Sequence, residues 1–160
     1  YLFCFILCTA PAFGQTLAFV GVNQFSRVGQ YSYFSITAGR NLPGFDPHGW
    51  QLLVSRRLAP VPWYILGPGF PVPNKLPIYL LPDAMFYCAL HDIHSTPVVF
   101  PQFQGLLDEK KQAVFEVRIP NEPRIIGQVF MMQVVLTWIP WTPTGCPMQT
   151  TNPLAVWISP

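Results

Sequence analysis

The chain has 160 residues, of which 51% are hydrophobic and only 10% charged, with a formal net charge of +2. That length suits one domain, and a scattered, near-neutral charge without a basic stripe argues against a nucleic-acid binder and against a disordered tail. Typical globular proteins are roughly a quarter charged, so this poverty fits membrane insertion, a mostly buried sheet protein, or a subunit covered by its neighbours.

Proline removes a backbone donor and is hostile to helix interiors and central strands. The 19 prolines are spread along the chain, as in Ala59-Pro60-Val61-Pro62, Phe70-Pro71-Val72-Pro73 and Pro140-Trp141-Thr142-Pro143. They leave almost no window for a long helix and predict strands separated by stiff loops.

Residues 1–8 are an apolar run, and Ala12 and Gly14 fall where the −3 and −1 positions of a signal-peptidase site would be. Residues 1–14 are therefore expected to be the end of a signal peptide whose beginning precedes Tyr1. Residues 15–160 are expected to form a single mature domain, secreted or held at the cell surface. The alternative is a buried first strand. A lipoprotein is disfavoured because bulky Leu7 precedes Cys8. No mature segment offers ~18 unbroken apolar residues, so no transmembrane span is expected.

Residues 16–22 read as a first strand. Residues 30–38 are clearer: Ser32, Phe34, Ile36 and Ala38 alternate with Tyr31, Tyr33, Ser35 and Thr37, the period of a sheet with one buried face. A loop over 41–49 leads to a strand over 50–55, with Trp50, Leu52 and Val54 on one side. Residues 62–66 read as a short edge strand. After the turn cluster Gly67-Pro68-Gly69-Phe70-Pro71, residues 76–81 place Leu76, Ile78 and Leu80 in phase. Residues 85–90 read as a strand grouping Phe86, Cys88 and Leu90. Pro97 and Pro101 make 96–103 ambiguous. Residues 111–119 alternate strongly, with Ala113, Phe115, Val117 and Ile119 set against Gln112, Val114, Glu116 and Arg118. Asn121 is expected to cap a single turn that starts at Glu122-Pro123 and ends at Gly127. Residues 129–138, apolar on both faces, read as a central strand. A loop over 140–152 precedes a last strand through Leu154, Val156 and Ile158. Eight or nine short strands without a long helix predict an all-β, two-layer antiparallel β-sandwich, immunoglobulin-like or jelly-roll-like, each sheet hiding its apolar face on the other.

The stretch Ile119-Pro120-Asn121-Glu122-Pro123-Arg124-Ile125-Ile126-Gly127-Gln128-Val129-Phe130 resembles a strand–turn–strand of small secreted domains of Planctomycetes and other environmental bacteria. Those domains often read I-P-N-D-P-x-L-x-G-x-x-F/Y-x-Q. Here Glu122 stands for the usual Asp, and Gln133 is near, but not at, the usual Gln. Residues 151–158 are similar to their final S-N-x-L-x-V-x-I strand, and 29–39 to an early G-x-x-x-x-x-x-L-x-G strand. The resemblance covers the mature chain loosely and 117–158 best. It implies a fold and an exported setting, often within larger proteins, and no established chemistry or site residue.

Cys88 and Cys146 would remain in the mature chain, and an even pair in an oxidising compartment is a disulfide candidate. The alternative is two separate thiols. His91 and His94, with Asp92 between them, are the best metal candidates, which Asp46 and His48 could complete only by chance of folding; a closed zinc site takes four ligands, so no metal is expected. Ser55 and Ser95 lack a nucleophile elbow. Carboxylates are too few for a confident glycosidase pair, and Gly67-Pro68-Gly69 lacks the lysine and helix of a phosphate loop. No cofactor and no catalytic residue are expected.

The aromatic residues are read first as strand and core filling. A surface alternative groups Tyr31, Tyr33, Trp63, Tyr64, Trp141 and Trp157 as an interface or ligand platform. Two functions follow. One is a non-catalytic structural or assembly module that packs against itself or another envelope or extracellular protein. The other is a module that binds carbohydrate or another surface ligand through open aromatic rings.

Overall fold

The computed structural model describes residues 19–21, 25–38, 47–67, 74–91, 103–137 and 147–160. Within them the fold is almost all-β. The strands are β1 (Phe19–Gly21), β2 (Phe25–Arg27), β3 (Tyr31–Thr37), β4 (Gly49–Ser55), β5 (Leu58–Gly67), β6 (Asn74–Leu80), β7 (Gln104–Leu106), β8 (Gln112–Arg118), β9 (Val129–Thr137), β10 (Pro147–Thr150) and β11 (Leu154–Ser159). One helix, α1 (Ala84–Leu90), follows β6. Three sheets result: β1-β3-β8; a central sheet β2-β11-β9-β4-β7 with β10 also paired to β9; and the hairpin β5-β6.

The alternation of β3 and β8 does what a period of two predicts. Phe34, Ile36, Phe115 and Val117 point inward and are buried together with Trp50, Leu52 and Val54 of β4. Phe130, Met132, Val134 and Leu136 of β9 join them, as do Leu154, Val156 and Ile158 of β11. The three-stranded sheet thus packs on one face of the central sheet. An aromatic column runs through the contact: Phe34 stacks on Phe115 at 5.4 Å, and Phe115 on Trp50 at 5.3 Å. Each such ring buried contributes roughly 1.5–3 kcal/mol.

The opposite face of the central sheet is covered too. All seven residues of β4 are buried, because Leu53 and Val135 pack under Ile78, Leu80 and Phe86 of the hairpin and helix. Trp63 meets Phe86 edge-on at 5.6 Å and donates its indole N–H to the Leu80 carbonyl at 2.9 Å. The doubly apolar residues of 129–138 therefore do mark a central strand, covered on both faces over Met132–Thr137.

Several local expectations need correction. Residues 85–90 form a helix, not a strand. Asp83 adopts extended backbone, and its side chain accepts the Phe86 N–H at 3.0 Å, capping the first turn. The helix then buries Met85, Phe86 and Ala89. This placement also corrects the expected disulfide: Cys88 sits half-buried on α1 as a thiol, not in the Cys88–Cys146 bridge. The edge strand expected at 62–66 is longer. Pro60 and Pro62 lie inside β5, where the register slips between Leu58↔Leu80 and Trp63↔Ile78, the irregular edge position that proline tolerates. Part of the loop expected at 140–152 is β10. The turn at Pro123–Ile125 is a 3₁₀ turn preceded by Glu122, which supplies no side-chain cap, rather than by Asn121. Gly127 does end this segment, at φ +81.

A break in the ladder explains the C-terminal motif. β10 and β11 pair successively with the two halves of β9. Between them Thr151 donates its N–H to the Val134 carbonyl at 2.9 Å and accepts the Val134 N–H on Oγ1 at 2.9 Å. Its side chain keeps β9 satisfied where Asn152 and Pro153 leave the ladder.

Candidate interaction face

The sequence grouped Tyr31, Tyr33, Trp63, Tyr64, Trp141 and Trp157. The structure does not bring the five described ones together. Tyr31 and Tyr33 stand on the outer face of β3, 51% and 60% exposed. Trp157 is exposed on β11, whose inner residues face the core, so it lies on the opposite side of the two packed sheets. Trp63 is half-buried against Phe86, while Tyr64 is exposed on the hairpin. Trp141 lies outside the described residues, as do His94, Asp92, Asp46 and Cys146.

Tyr31 and Tyr33 acquire neighbours that the sequence had placed on a polar strand face. The register sets Tyr31 opposite Arg118, Tyr33 opposite Glu116 and Ser35 opposite Val114. The Arg118 guanidinium sits 6.0 Å from the centre of the Tyr31 ring, an exposed cation–π contact. Val114 is 67% exposed. The signal for it was present in the sequence as a lone valine between Gln112 and Glu116.

β8 is also an edge. It pairs with β3 and ends its sheet. The bonds Ile119 N–H to Gln30 O and Ala38 N–H to Lys111 O fix the parity: odd-numbered residues of β8 turn their backbone groups toward β3, and even-numbered ones turn away. Gln112 fits this, since its carbonyl accepts from Asp108 N at 2.7 Å and its N–H donates to Asp108 Oδ1 at 2.7 Å. The outward groups of Val114, Glu116 and Arg118 meet no strand among the described residues.

An open groove of about 440 Å³ runs beside this edge, lined by Trp50, Gly105, Leu106, Asp108, Gln112 and Val114 among others. Its floor explains the glycine in β7. Gly105 pairs directly with Trp50, and a Cβ there would fall 2.8 Å from the indole, so the ring folds over the bare backbone of an edge strand. The turn above it is held by Lys111 at φ +61, whose Nζ donates to the Pro47 carbonyl at 3.3 Å and lies 3.4 Å from His48 Nδ1.

The titratable groups among the described residues do not gather into one cluster. Among the described residues no three His, Cys, Asp or Glu side chains converge as a metal site requires. His91 is exposed at the end of α1, where its N–H bonds Tyr87 O. Ser55 donates from Oγ to the Arg57 carbonyl at 2.9 Å and lies 3.1 Å from Asp83 Oδ2, which also takes the Arg56 N–H at 2.8 Å. That network fastens a turn to a helix cap. Glu122 accepts a hydrogen bond from Arg124 at 2.7 Å, which holds its carboxyl below the usual range and raises the guanidinium. Both groups are solvated. No helix among the described residues is long and apolar enough to cross a membrane.

A search against protein-family models and a search of curated proteins both return no match. The stretch 119–130, quoted above for its resemblance to exported domains, runs from the end of β8 through the 3₁₀ turn into β9, and 151–158 joins the Thr151 bridge to β11. Both are fold-making segments.

Proposed function

We propose that the chain is a non-catalytic, exported structural module of β-sandwich type that assembles with further copies of itself through the outer face and open edge of β1-β3-β8. The sandwich reading is supported by two sheets sharing one apolar core, with the hairpin and α1 as an added cover. Export is supported by the leader-like residues 1–14 and by the resemblance to secreted domains.

The observation that carries the assembly reading is one surface. Tyr31, Tyr33 and Val114 are each more than half exposed, contiguous by register, and adjacent to an edge strand. Large exposed apolar groups beside an unpaired edge mark an association surface or an aggregation hazard. The test is the mass of residues 15–160 in solution over a range of concentrations, for the native chain and for Tyr31→Ser/Tyr33→Ser. Concentration-dependent association that the double variant weakens about tenfold or more, the scale on which a pair of interface aromatics acts, is the expected result. A strict monomer at millimolar concentration overturns the reading.

A second reading keeps one observation of its own. Tyr31 and Tyr33 are bordered by Ser35, Thr37, Gln112 and Glu116, so stacking rings lie beside hydrogen-bonding groups, as a carbohydrate platform would need. A monomer that binds a glycan array through these tyrosines would establish it instead.

A further inference from the structure

We infer that the partner at this edge is β8 of a second copy, paired antiparallel about Val117, so that two three-stranded sheets become one continuous sheet. The inference rests on the assembly reading above and names its partner and register.

Parity and charge select this register. Glu116 and Arg118 both turn their backbone N–H and C=O away from β3, and both carry their side chains on the outer face, because each lies opposite an exposed tyrosine. An antiparallel partner must match outward residue to outward residue, and three symmetric registers along the middle of this strand do so. Centring on Glu116 sets Glu116 against its own copy, a like-charge contact. Centring on Phe115 sets Val114 against Glu116. Centring on Val117 sets Glu116 against Arg118 of the second copy, and by symmetry Arg118 against Glu116. Two opposite-charge pairs then form directly across the strand boundary, where such pairs stabilise a sheet, and the two residues exchange backbone hydrogen bonds in both directions. A two-fold axis of this kind is the commonest closed symmetry and buries the edge without starting a fibre. Pro120 has no N–H to offer, and Asp108 occupies the backbone groups of Gln112. The pairable stretch is therefore short, and the dimer should be reversible. Tyr31 and Tyr33 of both copies would flank the four charges on one shared face.

The test uses charge reversal in residues 15–160, read by sedimentation. Glu116→Arg faces Arg118 of its copy with like charge, and Arg118→Glu does the same with Glu116. Each variant alone should associate at least ~10-fold more weakly than the native chain, given two pairs changed from attraction to repulsion. Mixing the two variants restores both pairs, and so does the double swap Glu116→Arg/Arg118→Glu within one chain. Recovery of the native association in the mixture and in the double swap is the expected result, and it is one that misfolded variants could not give. If the native chain associates but the single reversals do so equally well, or the mixture stays as weak as its components, the register is overturned while the assembly reading stands. If the native chain never associates, both fall.

Discussion

The two faces of the central sheet are closed by different means. Toward β1-β3-β8 the contact is almost wholly apolar, with the Phe34–Phe115–Trp50 column at its centre. Toward the hairpin and α1 the apolar patch is smaller, and buried polar side chains complete it. Gln133, fully buried, accepts the Tyr79 N–H at 2.9 Å and donates to the carbonyls of Pro77 and Thr151, each at 2.9 Å. Gln51 donates to the Ala89 carbonyl at 2.8 Å, and Asp83 fastens the β4–β5 turn to the helix. Apolar packing tolerates small shifts in position, whereas amide hydrogen bonds fix one register. A hairpin interrupted by prolines is thus held in place from outside: its own ladder slips, and side chains of the central sheet set its position.

Mutations on the two faces should therefore fail differently. The largest effect is expected from Phe115→Ala, which removes the middle ring of the column. A loss of about 3–5 kcal/mol of global stability should appear in denaturant unfolding, with every probe shifting together. A loss below about 1 kcal/mol would mean that the column does not bear on the core as described. Gln133→Leu comes next. It removes the acceptor of the Tyr79 N–H and the donor to the buried Thr151 and half-buried Pro77 carbonyls, at about 2–3 kcal/mol. Its signature should be local, with β6 amides exchanging faster while those of β3 and β8 keep their protection. Uniform loss across all sheets would break the distinction between the two faces. Asp83→Ala should be the mildest, at about 1 kcal/mol for a lost helix cap, read as lower helical signal and quenching of Trp63, which packs against Phe86. An unchanged Trp63 signal would show that the cap does not position the helix.

The one-sided strands were readable from the sequence. In 30–38 and 111–119 each residue declares its face, because solvent selects polar side chains on one side. The two-sided strand at 129–138 was readable for the converse reason. What failed depended on contacts distant in sequence. The segment 85–90 carries Phe86, Cys88 and Leu90 in strand phase, yet Asp83 and the apolar floor of Leu53 and Val135 decide for a helix. β7 and β10 are too short to show a period. The buried Gln133 reads as a polar interruption until Pro77 and Tyr79 arrive beside it. At the interaction face, Tyr31 and Tyr33 were identifiable as outward-facing. That Val114, Glu116 and Arg118 stand beside them was not identifiable, because register between two strands is not written in either one. Grouping them with Trp157 failed because sequence does not say which layer a strand joins.

The most direct test of the account is amide hydrogen exchange along β8 measured at low and high protein concentration. Phe115 and Val117 bond to β3 and should be protected throughout. Glu116 and Arg118 should exchange rapidly in dilute solution and become protected as concentration rises, in step with the increase in mass. Rapid exchange of Glu116 and Arg118 at every concentration, in a sample whose mass does increase, would contradict pairing through this edge.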